Sequence, residues 1–143
     1  MKRVDTIAAV RARVAEVRAD GVRIGLVPTM GALHEGHLRL IDHARADAGF
    51  VVMSVFVNPL QFGPTEDFAR YPRDLARDAT LASERGADLL FTPSVDEMYP
   101  GGGSGVMIAA PGLRDRLCGA YRPGHFDGVL TVVAKLFNIV EPD

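Results

Sequence analysis

Residues 23–48 combine a short apolar run, a glycine-containing loop and an amphipathic segment, and this order constrains the fold more than any other feature of the chain. The apolar run, residues 23–28, is bounded by a glycine and a proline, which is typical of a fully buried parallel strand. Four apolar residues after the loop follow helical spacing: Leu38, Leu40, Ile41 and Ala44. The segment is therefore predicted to be a strand that leads, through a loop with two histidines, into a helix from near Gly36 to about Ala48.

The rest of the chain repeats this alternation of helices and strands. A helix is predicted from about Thr6, a good N-cap, to just before Gly21, and another over residues 74–85. Two further buried strands and a polar, proline-bearing loop are also predicted: residues 50–56, 88–92 and 58–73. Such βαβ units imply an α/β fold with a doubly wound parallel sheet and flanking helices, in which ligands bind at the carboxyl ends of the strands.

The glycine-rich residues 101–105 are predicted to form a mobile surface turn before a short strand at residues 106–109. They have neither the spacing nor the lysine of a phosphate-binding glycine loop. A last helix is predicted over residues 129–137. Since the chain shows no repeat, linker or low-complexity tract, residues 1–143 are predicted to form one domain.

Composition narrows the class of protein. The 143 residues are 48% hydrophobic, and 16 Lys+Arg against 18 Asp+Glu give a net charge of −2. A net charge of −2 provides no excess of positive charge to bind nucleic acid or an anionic membrane, so small ligands are the predicted partners. The start lacks the apolar core of a signal peptide, and the longest apolar run, residues 50–57, is too short to span a bilayer. The single Cys118 cannot form an internal disulfide, which suits the reducing cytoplasm.

His34 and His37 flank the predicted start of the second helix. A zinc-protease helix needs histidines four residues apart, and Leu38 stands four residues after His34, so that metal site is not predicted. Part of another metal site, or a solvated or capping histidine, remains an alternative. The strand–loop–helix context favours a nucleotide site instead. There, free N–H groups near Gly36 would hold phosphate oxygens, and neutral imidazoles would donate hydrogen bonds as charge builds during adenylyl transfer.

Asn58 and Gln61 directly follow the predicted strand at residues 50–56, so their amides are expected in the same crevice as the two histidines. An amide offers donors and an acceptor together, which suits a hydroxy acid, and neighbouring apolar side chains would form a wall. The alternative is that Asn58 only begins a turn before Pro59 and that Gln61 is solvated.

A third informative stretch, residues 119–128, leads into the last predicted helix. Arg122 and His125 are candidates to reach a carboxylate or a phosphate, although capping that helix is an equally reasonable role for His125. His43 lies six residues beyond His37, on another helix face, and is predicted to be at the surface.

Five sequence blocks together resemble the pantoate–β-alanine ligase family of the H-x-G-H nucleotidyltransferase superfamily. The blocks, in the family's order, are Pro-Thr-Met-Gly-Ala-Leu-His-Glu-Gly-His, Ser-Val-Phe-Val-Asn-Pro-Leu-Gln-Phe, Ala-Arg-Tyr-Pro-Arg, Arg-Pro-Gly-His-Phe and Val-Ala-Lys-Leu-Phe-Asn-Ile-Val-Glu-Pro-Asp. H-x-G-H alone indicates only the superfamily. The Asn-Pro-Leu-Gln-Phe and Arg-Pro-Gly-His-Phe blocks restrict the resemblance to one family of this superfamily, because sister adenylyl- and cytidylyltransferases are not expected to carry them.

The resemblance implies a two-step reaction. Pantoate attacks the α-phosphate of Mg²⁺-ATP to give pantoyl adenylate and pyrophosphate, and β-alanine then displaces AMP to give pantothenate. The resemblance also implies a Rossmann-like fold of the nucleotidyltransferase type, usually assembled as a homodimer.

Roles for individual residues follow from the same resemblance. His37 is the implied catalytic histidine, with His34 beside it on the phosphates. The implied ATP-binding loop comprises eight residues: Met30, Gly31, Ala32, Leu33, His34, Glu35, Gly36 and His37. Gln61 is implied to bind pantoate and later to help place β-alanine. Three further candidates surround the same pocket: Asn58, Tyr71 and Arg122.

Members of this family continue past the position of Asp143 with a Gly-Glu-Lys-Asp block, a further glutamine and a Ser-Ser-Arg-Asn block. None of these blocks is present, so the chain is expected to be an amino-terminal portion that is inactive on its own. Two alternatives stay open. Another H-x-G-H adenylyl- or cytidylyltransferase would keep the ATP loop but take a phosphorylated or nucleotide co-substrate, and a non-catalytic domain would only bind ligand or dimerise.

Overall fold

The computed structural model describes residues 1–63, 66, 68–114, 122 and 124–143. Within them, the strands are β1 (Lys2–Val4), β2 (Ile24–Thr29), β3 (Phe50–Val55) and β4 (Leu89–Phe91). They are parallel and form one sheet in the order β1-β4-β3-β2. The helices are α1 (Ile7–Ala19), α2 (Glu35–Asp47), α3 (Leu75–Glu84), α4 (Val95–Met98), α5 (Pro111–Arg114) and α6 (His125–Val140). Two 3₁₀ turns, Pro59–Gln61 and Phe68–Arg70, lie between β3 and α3.

Alternate residues of the central strands face opposite sides of the sheet, which explains why these strands are apolar throughout. In β3, Phe50 and Val52 pack into a cluster with α1 and α6, whereas Val51 and Met53 pack into a second cluster with α2 and α3. The sheet is therefore covered by helices on both faces, and the predicted doubly wound parallel architecture is confirmed.

Local sequence signals set both ends of α1 and the start of α3 close to where they were expected. Thr6 caps α1 by accepting the Ala9 N–H at 3.2 Å. Gly21 follows this helix with φ of +73°, a conformation that glycine adopts without steric cost. Asp74 caps α3 in the same way by accepting the Arg77 N–H at 3.0 Å.

Several elements differ from the sequence prediction, which did not include the short helices α4 and α5. The predicted strand at residues 106–109 is wrong: the segment is irregular, and the Ile108 N–H donates to the Thr131 hydroxyl of α6 at 2.9 Å rather than to a sheet edge. The sequence does not predict β1, because two of the three residues of this edge strand are exposed and charged. Helix α6 begins at His125, four residues before the predicted start.

Cys118 and residues 119–121 and 123 lie outside the described part of the chain, so the expectation for Cys118 stays a prediction. His43 is exposed, as predicted. None of the helices among the described residues is long and apolar enough to cross a membrane.

Candidate functional site

The loop between β2 and α2 lies at the carboxyl edge of the sheet, beside the end of β3. Its backbone turns sharply, because Gly31 has φ of +82° and Ala32 has φ of +50°. Thr29 fixes the start of the loop: its hydroxyl accepts the Gly31 N–H at 3.2 Å and donates to the Ser54 carbonyl at 2.8 Å. The loop is therefore anchored to the neighbouring strand before the chain reaches the histidines.

His34 and His37 cap the start of α2 reciprocally. The Gly36 N–H donates to Nδ1 of His34 at 3.1 Å, and the His34 N–H donates to Nδ1 of His37 at 3.4 Å. The two ring centroids lie 4.0 Å apart. Because Nδ1 accepts in both rings, the neutral tautomer of each carries its proton on Nε2. The arrangement thus leaves two Nε2–H donors free for a ligand.

Gly36 is required by this arrangement. A Cβ at residue 36 would lie 2.9 Å from Cε1 of His34, so any larger side chain would push the imidazole aside. The Gly36 N–H, which the sequence prediction assigned to phosphate, is occupied by the His34 ring instead. The histidines therefore act as helix caps, and this backbone amide is not available to a ligand.

The electrostatic surroundings of His37 favour its neutral ring. Partial burial is the largest influence and lowers the pKa of the imidazole below its ordinary value. The neighbouring His34 lowers this pKa further, and the carboxylate of Asp78 raises it in part. At neutral pH the ring is therefore in the form that accepts at Nδ1 and donates at Nε2.

The other loop side chains point in different directions. Leu33 is buried in the second apolar cluster. Glu35 is turned towards the end of α3, where the Arg85 guanidinium binds its carboxylate at 3.0 Å. Met30 lines cavities on both sides of the loop. Met30 and His37 are thus the larger loop side chains that line the cavity beside α6.

His37 and Gln61 line one cavity of about 220 Å³ between the H-x-G-H loop and α6. The remaining wall is mainly apolar: Pro28, Thr29, Met30, Phe56, Val129, Val132, Val133 and Leu136. Gln61 is 9% exposed, so its side chain is not solvated as the alternative held. The cavity joins a hydrogen-bonding imidazole and a hydrogen-bonding amide across an apolar space.

Asn58 lies behind Gln61 and is fully buried. Its Nδ2 donates to Oε1 of Gln61 and to the Gly128 carbonyl of α6, each at 3.0 Å. Its Oδ1 accepts the Tyr99 hydroxyl at 2.9 Å and the Leu60 N–H at 3.3 Å. These four bonds use the whole capacity of the amide. Asn58 therefore caps the 3₁₀ turn and orients Gln61, and its side chain has no bond left for a ligand.

Helix α6 approaches the turn Pro59–Gln61 so closely that only glycine fits at position 128. A Cβ on Gly128 would lie 2.1 Å from the Leu60 carbonyl oxygen and 2.9 Å from the Gln61 nitrogen. The absence of a side chain at this position lets the helix backbone accept the bond from Asn58. Close packing with α6 thus fixes where Gln61 lies.

Arg122 and His125 hold the backbone of Gln61. Nδ1 of His125 donates to the Gln61 carbonyl at 2.8 Å, and Nη1 of Arg122 donates to Nε2 of the same ring at 3.2 Å. Arg122 also binds Glu66 at 2.6 Å, and this hydrogen bond is the main cause that lowers the pKa of the Glu66 carboxyl. The capping role considered for His125 is wrong, because the N-cap of α6 is Gly124 and the ring of His125 turns to Gln61.

Tyr71 belongs to an aromatic group that follows Gln61 in the chain. Its ring packs edge-on against Phe62, with ring centroids 5.9 Å apart. Phe62 also packs edge-on against Phe68 at 5.4 Å. The structure therefore places Tyr71 in contact with the segment that leaves the turn.

Asp78 of α3 is a site residue that the sequence analysis missed. Its carboxylate is 1% exposed and accepts the Ala32 N–H at 2.9 Å and the Leu33 N–H at 2.8 Å. The available signal was an acidic residue between Leu75 and Ala82 on the inward stripe of an amphipathic helix, where an apolar residue is usual.

The chain is similar to known proteins along almost its whole length. The family model described as pantoate-beta-alanine ligase matches residues 2–143. A pantothenate synthetase from Moorella thermoacetica is 61% identical over 143 residues, which are 100% of this chain and 50% of that protein. One from Desulfitobacterium hafniense is 62% identical over 137 residues, 96% of this chain and 48% of that protein.

Solved structures of such proteins share the fold. A pantothenate synthetase from Thermus thermophilus superposes with a TM-score of 0.88 at 55% identity, over 99% of this chain and 50% of that chain. A pantoate-beta-alanine ligase from Francisella tularensis, complexed with β-γ ATP and β-alanine, superposes with a TM-score of 0.91 at 39% identity, over 99% and 54% respectively.

The chain spans about half the length of the relatives it matches. Within that half, the match to the family model runs from the first strand to the last residue and includes the H-x-G-H loop and the Gln61 turn. The protein therefore belongs to the pantoate–β-alanine ligase family.

Proposed function

We propose that the chain is the ATP- and pantoate-binding part of an enzyme that condenses pantoate with β-alanine through pantoyl adenylate. One observation carries this proposal: His37 and Gln61 line the same cavity. Activation of a hydroxy acid by ATP requires a phosphate-binding group and a substrate-binding group in one crevice, and two separate loops supply them here. The relatives named pantothenate synthetase and the Francisella complex with β-γ ATP and β-alanine support it.

The H-x-G-H loop would bind ATP mainly through hydrogen-bond donors. Negative charge grows on the α-phosphate oxygens and on departing pyrophosphate during adenylyl transfer, and fixed N–H groups stabilise that charge. His34 and His37 present Nε2–H groups whose orientation is set by the bonds at Nδ1. The lowered pKa of His37 keeps this donor neutral, so the ring acts by hydrogen bonding and not as a fixed cation.

Gln61 would bind pantoate. Its Oε1 is held by Asn58, so its Nε2–H₂ group is oriented as a donor for a hydroxyl or carboxylate oxygen. The apolar side chains of α6 in the same cavity suit the branched carbon skeleton of pantoate. For Asn58 and Arg122 we propose that they position Gln61, and for Tyr71 that it supports the segment after the turn.

The proposed reaction consists of two successive displacements, at phosphorus and then at the acyl carbon. A carboxylate oxygen of pantoate attacks the α-phosphorus, and the bond from that phosphorus to pyrophosphate breaks. The amine of β-alanine then attacks the acyl carbon of pantoyl adenylate and loses a proton, and the acyl–oxygen bond to AMP breaks. Neither step needs a covalent link to the protein.

We infer that Mg²⁺ enters as its complex with ATP. Magnesium usually keeps several waters and is held largely by substrate phosphates. In the part of the chain that the structure describes, no group of three or more His, Cys, Asp or Glu side chains is arranged to hold a metal ion. A homodimer is proposed from the family resemblance, and a cytoplasmic location from the single Cys118.

The isolated chain is expected to be a weak catalyst. Neither lysine nor arginine is among the described residues that line the cavity with His37. Cationic groups commonly accelerate phosphoryl-type transfer, by about 10³- to 10⁵-fold for a single arginine finger. We therefore expect the 143-residue chain to bind ATP weakly and to release AMP slowly in a coupled assay with ATP, Mg²⁺, pantoate and β-alanine. Turnover equal to that of a family-length enzyme would contradict this expectation.

Ligand selectivity tests the proposed function. Thermal unfolding is measured with pantoate, phosphopantetheine or nicotinate mononucleotide, for the wild-type chain, Gln61→Ala and the exposed control His43→Ala. Among the three ligands, we expect only pantoate to raise Tm in the wild type and in the control, and to raise it less in Gln61→Ala, because a ligand that binds the folded chain less tightly stabilises it less. Stabilisation by a phosphorylated ligand in place of pantoate would identify a different transferase, and stabilisation by none of the three would refute pantoate binding.

A further inference from the structure

The conformation of the H-x-G-H loop is held by a carboxylate outside it. Gly31 and Ala32 both take positive φ, and Ala32 has a side chain that disfavours this region. Such a conformation persists only where surrounding contacts determine it. The loop therefore requires a support beyond its own sequence.

Asp78 provides this support from α3. Oδ2 accepts the Ala32 N–H at 2.9 Å and Oδ1 accepts the Leu33 N–H at 2.8 Å, so each oxygen holds one amide. A Cβ on Gly31 would lie 2.8 Å from Oδ2, which shows how closely the loop backbone approaches the carboxylate. Arg77, the preceding residue of the same helix, donates to the Leu33 carbonyl at 3.3 Å. Helix α3 thus holds both polar groups of one loop residue.

The carboxylate is buried where an apolar side chain would be the usual choice. Asp78 is 1% exposed, and Leu33 and Ala82 beside it belong to the second apolar cluster. A buried carboxylate disfavours folding unless hydrogen bonds satisfy it, and here both oxygens are satisfied by the loop amides. Its two bonds fix the loop immediately before His34.

We propose that Asp78 is the positioning residue of the H-x-G-H loop, and that its carboxylate sets the backbone of Ala32 and Leu33 so that the imidazoles of His34 and His37 face the ligand. The inference rests on the proposed function only in that the ligand is ATP. In this role Asp78 acts through the loop amides that it holds and not through a bond to the ligand.

The charge of Asp78 also acts on the ring of His37. Burial and His34 lower the pKa of His37, and Asp78 is the group that raises it. Removing the negative charge therefore lowers this pKa further. Titration of His37 therefore reports whether the carboxylate still lies near the ring, and hydrogen exchange at the Ala32 and Leu33 amides reports whether it holds the loop backbone.

The test compares Asp78→Asn with Asp74→Ala. Asparagine keeps the size of the side chain, but its NH₂ group then faces a backbone N–H. Asp74 lies at the start of the same helix, is exposed and caps the Arg77 N–H, so Asp74→Ala weakens the start of α3 and removes neither bond of Asp78 to the loop. The readouts on the 143-residue chain are hydrogen exchange at the Ala32 and Leu33 amides, NMR titration of His37, and ATP affinity.

We expect Asp78→Asn to speed exchange of both amides about tenfold or more, to lower the titration midpoint of His37 and to weaken ATP binding about tenfold, whereas Asp74→Ala leaves all three near wild type. Unchanged exchange and an unchanged His37 midpoint in a folded Asp78→Asn variant would overturn the proposal. If the wild-type chain binds no ATP, the proposed function fails, while exchange and titration still decide the role of Asp78.

A second variant covers the case in which Asp78→Asn does not fold. Gly31→Ala leaves the carboxylate in place and inserts a methyl group 2.8 Å from Oδ2, at a residue with φ of +82°. We expect it to separate the loop from Asp78 and to speed exchange at Ala32 and Leu33 in the same way. A folded Gly31→Ala chain with wild-type exchange at these amides would overturn the proposal.

Discussion

The functional side chains on the two walls of the His37–Gln61 cavity are oriented by contacts of different range. The histidine caps on the loop wall join residues two or three positions apart. On the opposite wall, Asn58 links Gln61 to Gly128, 70 residues from Asn58, and His125 binds Gln61 from 64 residues away. The orientation of the two imidazoles is therefore set within a short motif, although Asp78 of α3 supports the loop backbone, whereas the position of Gln61 depends on how α6 packs against the rest of the fold.

The largest expected effect comes from a substitution that alters the loop wall alone. In an enzyme of the relatives' full length that carries this sequence, His37→Ala is expected to slow adenylate formation by roughly 10²- to 10³-fold, as loss of one transition-state hydrogen bond does. ATP–pyrophosphate exchange measures this step, and His43→Ala on the exposed side of α2 is the control. A rate of ATP–pyrophosphate exchange in His37→Ala equal to that of the wild type would show that His37 takes no part in adenylate formation.

The next effect comes from a substitution in α6 that displaces the turn carrying Gln61. Gly128→Ala places a Cβ 2.1 Å from the Leu60 carbonyl oxygen, so helix α6 and the turn must move apart. We expect a loss of about 2 kcal/mol in the free energy of unfolding, since overpacking outweighs the higher helix propensity of alanine. Urea unfolding measures it, with Gly103→Ala, whose Cβ meets nothing within 4 Å, as the control. Equal stability of the two variants would show that the close approach of α6 is unimportant.

A smaller effect separates the ligands of the two walls. Gln61→Ala is expected to weaken pantoate binding about tenfold while leaving ATP binding within about twofold, because the amide serves only the hydroxy acid. Calorimetric titration of the wild-type and variant chains with each ligand measures both affinities. An equal loss for the two ligands would mean that the variant disturbs the whole cavity and that Gln61 is not specific to pantoate.

The smallest effect is a pH dependence of the Gln61 wall. The bond from Arg122 is the first cause of the lowered pKa of Glu66, so this ion pair stabilises the fold above the ordinary value of 4.5 and is lost as pH falls through the lowered pKa. We expect acid unfolding of Glu66→Gln to lack this part of the pH dependence below pH 4.5. Identical acid unfolding curves for wild type and variant would show that the pair contributes nothing measurable.

The same difference in range explains what the sequence could predict. The β2–loop–α2 unit is local: an apolar strand, a glycine loop and two histidines at a helix start, and its elements lie where the pattern predicts them. The sequence also places Gln61 after a strand that ends beside this loop. The capping by both imidazoles is consistent with the alternative that a loop histidine caps a helix, and the sequence left that alternative open.

Roles that depend on distant partners could not be predicted. The four bonds of Asn58 involve Tyr99 and Gly128, 41 and 70 residues away, so no local pattern indicates that its amide is saturated. The apolar residues 106–109 fit a strand in isolation, but the Ile108 N–H finds the Thr131 hydroxyl of α6 instead of a strand. In both cases the outcome depends on contacts with α6, which is distant in sequence.

The central claim is that one cavity presents His37 to ATP and Gln61 to pantoate. NMR titration of the ¹⁵N-labelled chain with pantoate tests it most directly, because the imidazole of His37 and the side-chain amide of Gln61 are observed in the same sample and the exposed His43 is an internal control. We predict that the signals of His37 and Gln61 shift together along one saturation curve while that of His43 stays in place. A saturating shift of the Gln61 amide without any shift of His37 would contradict the claim. The absence of a shift in both signals would contradict it as well.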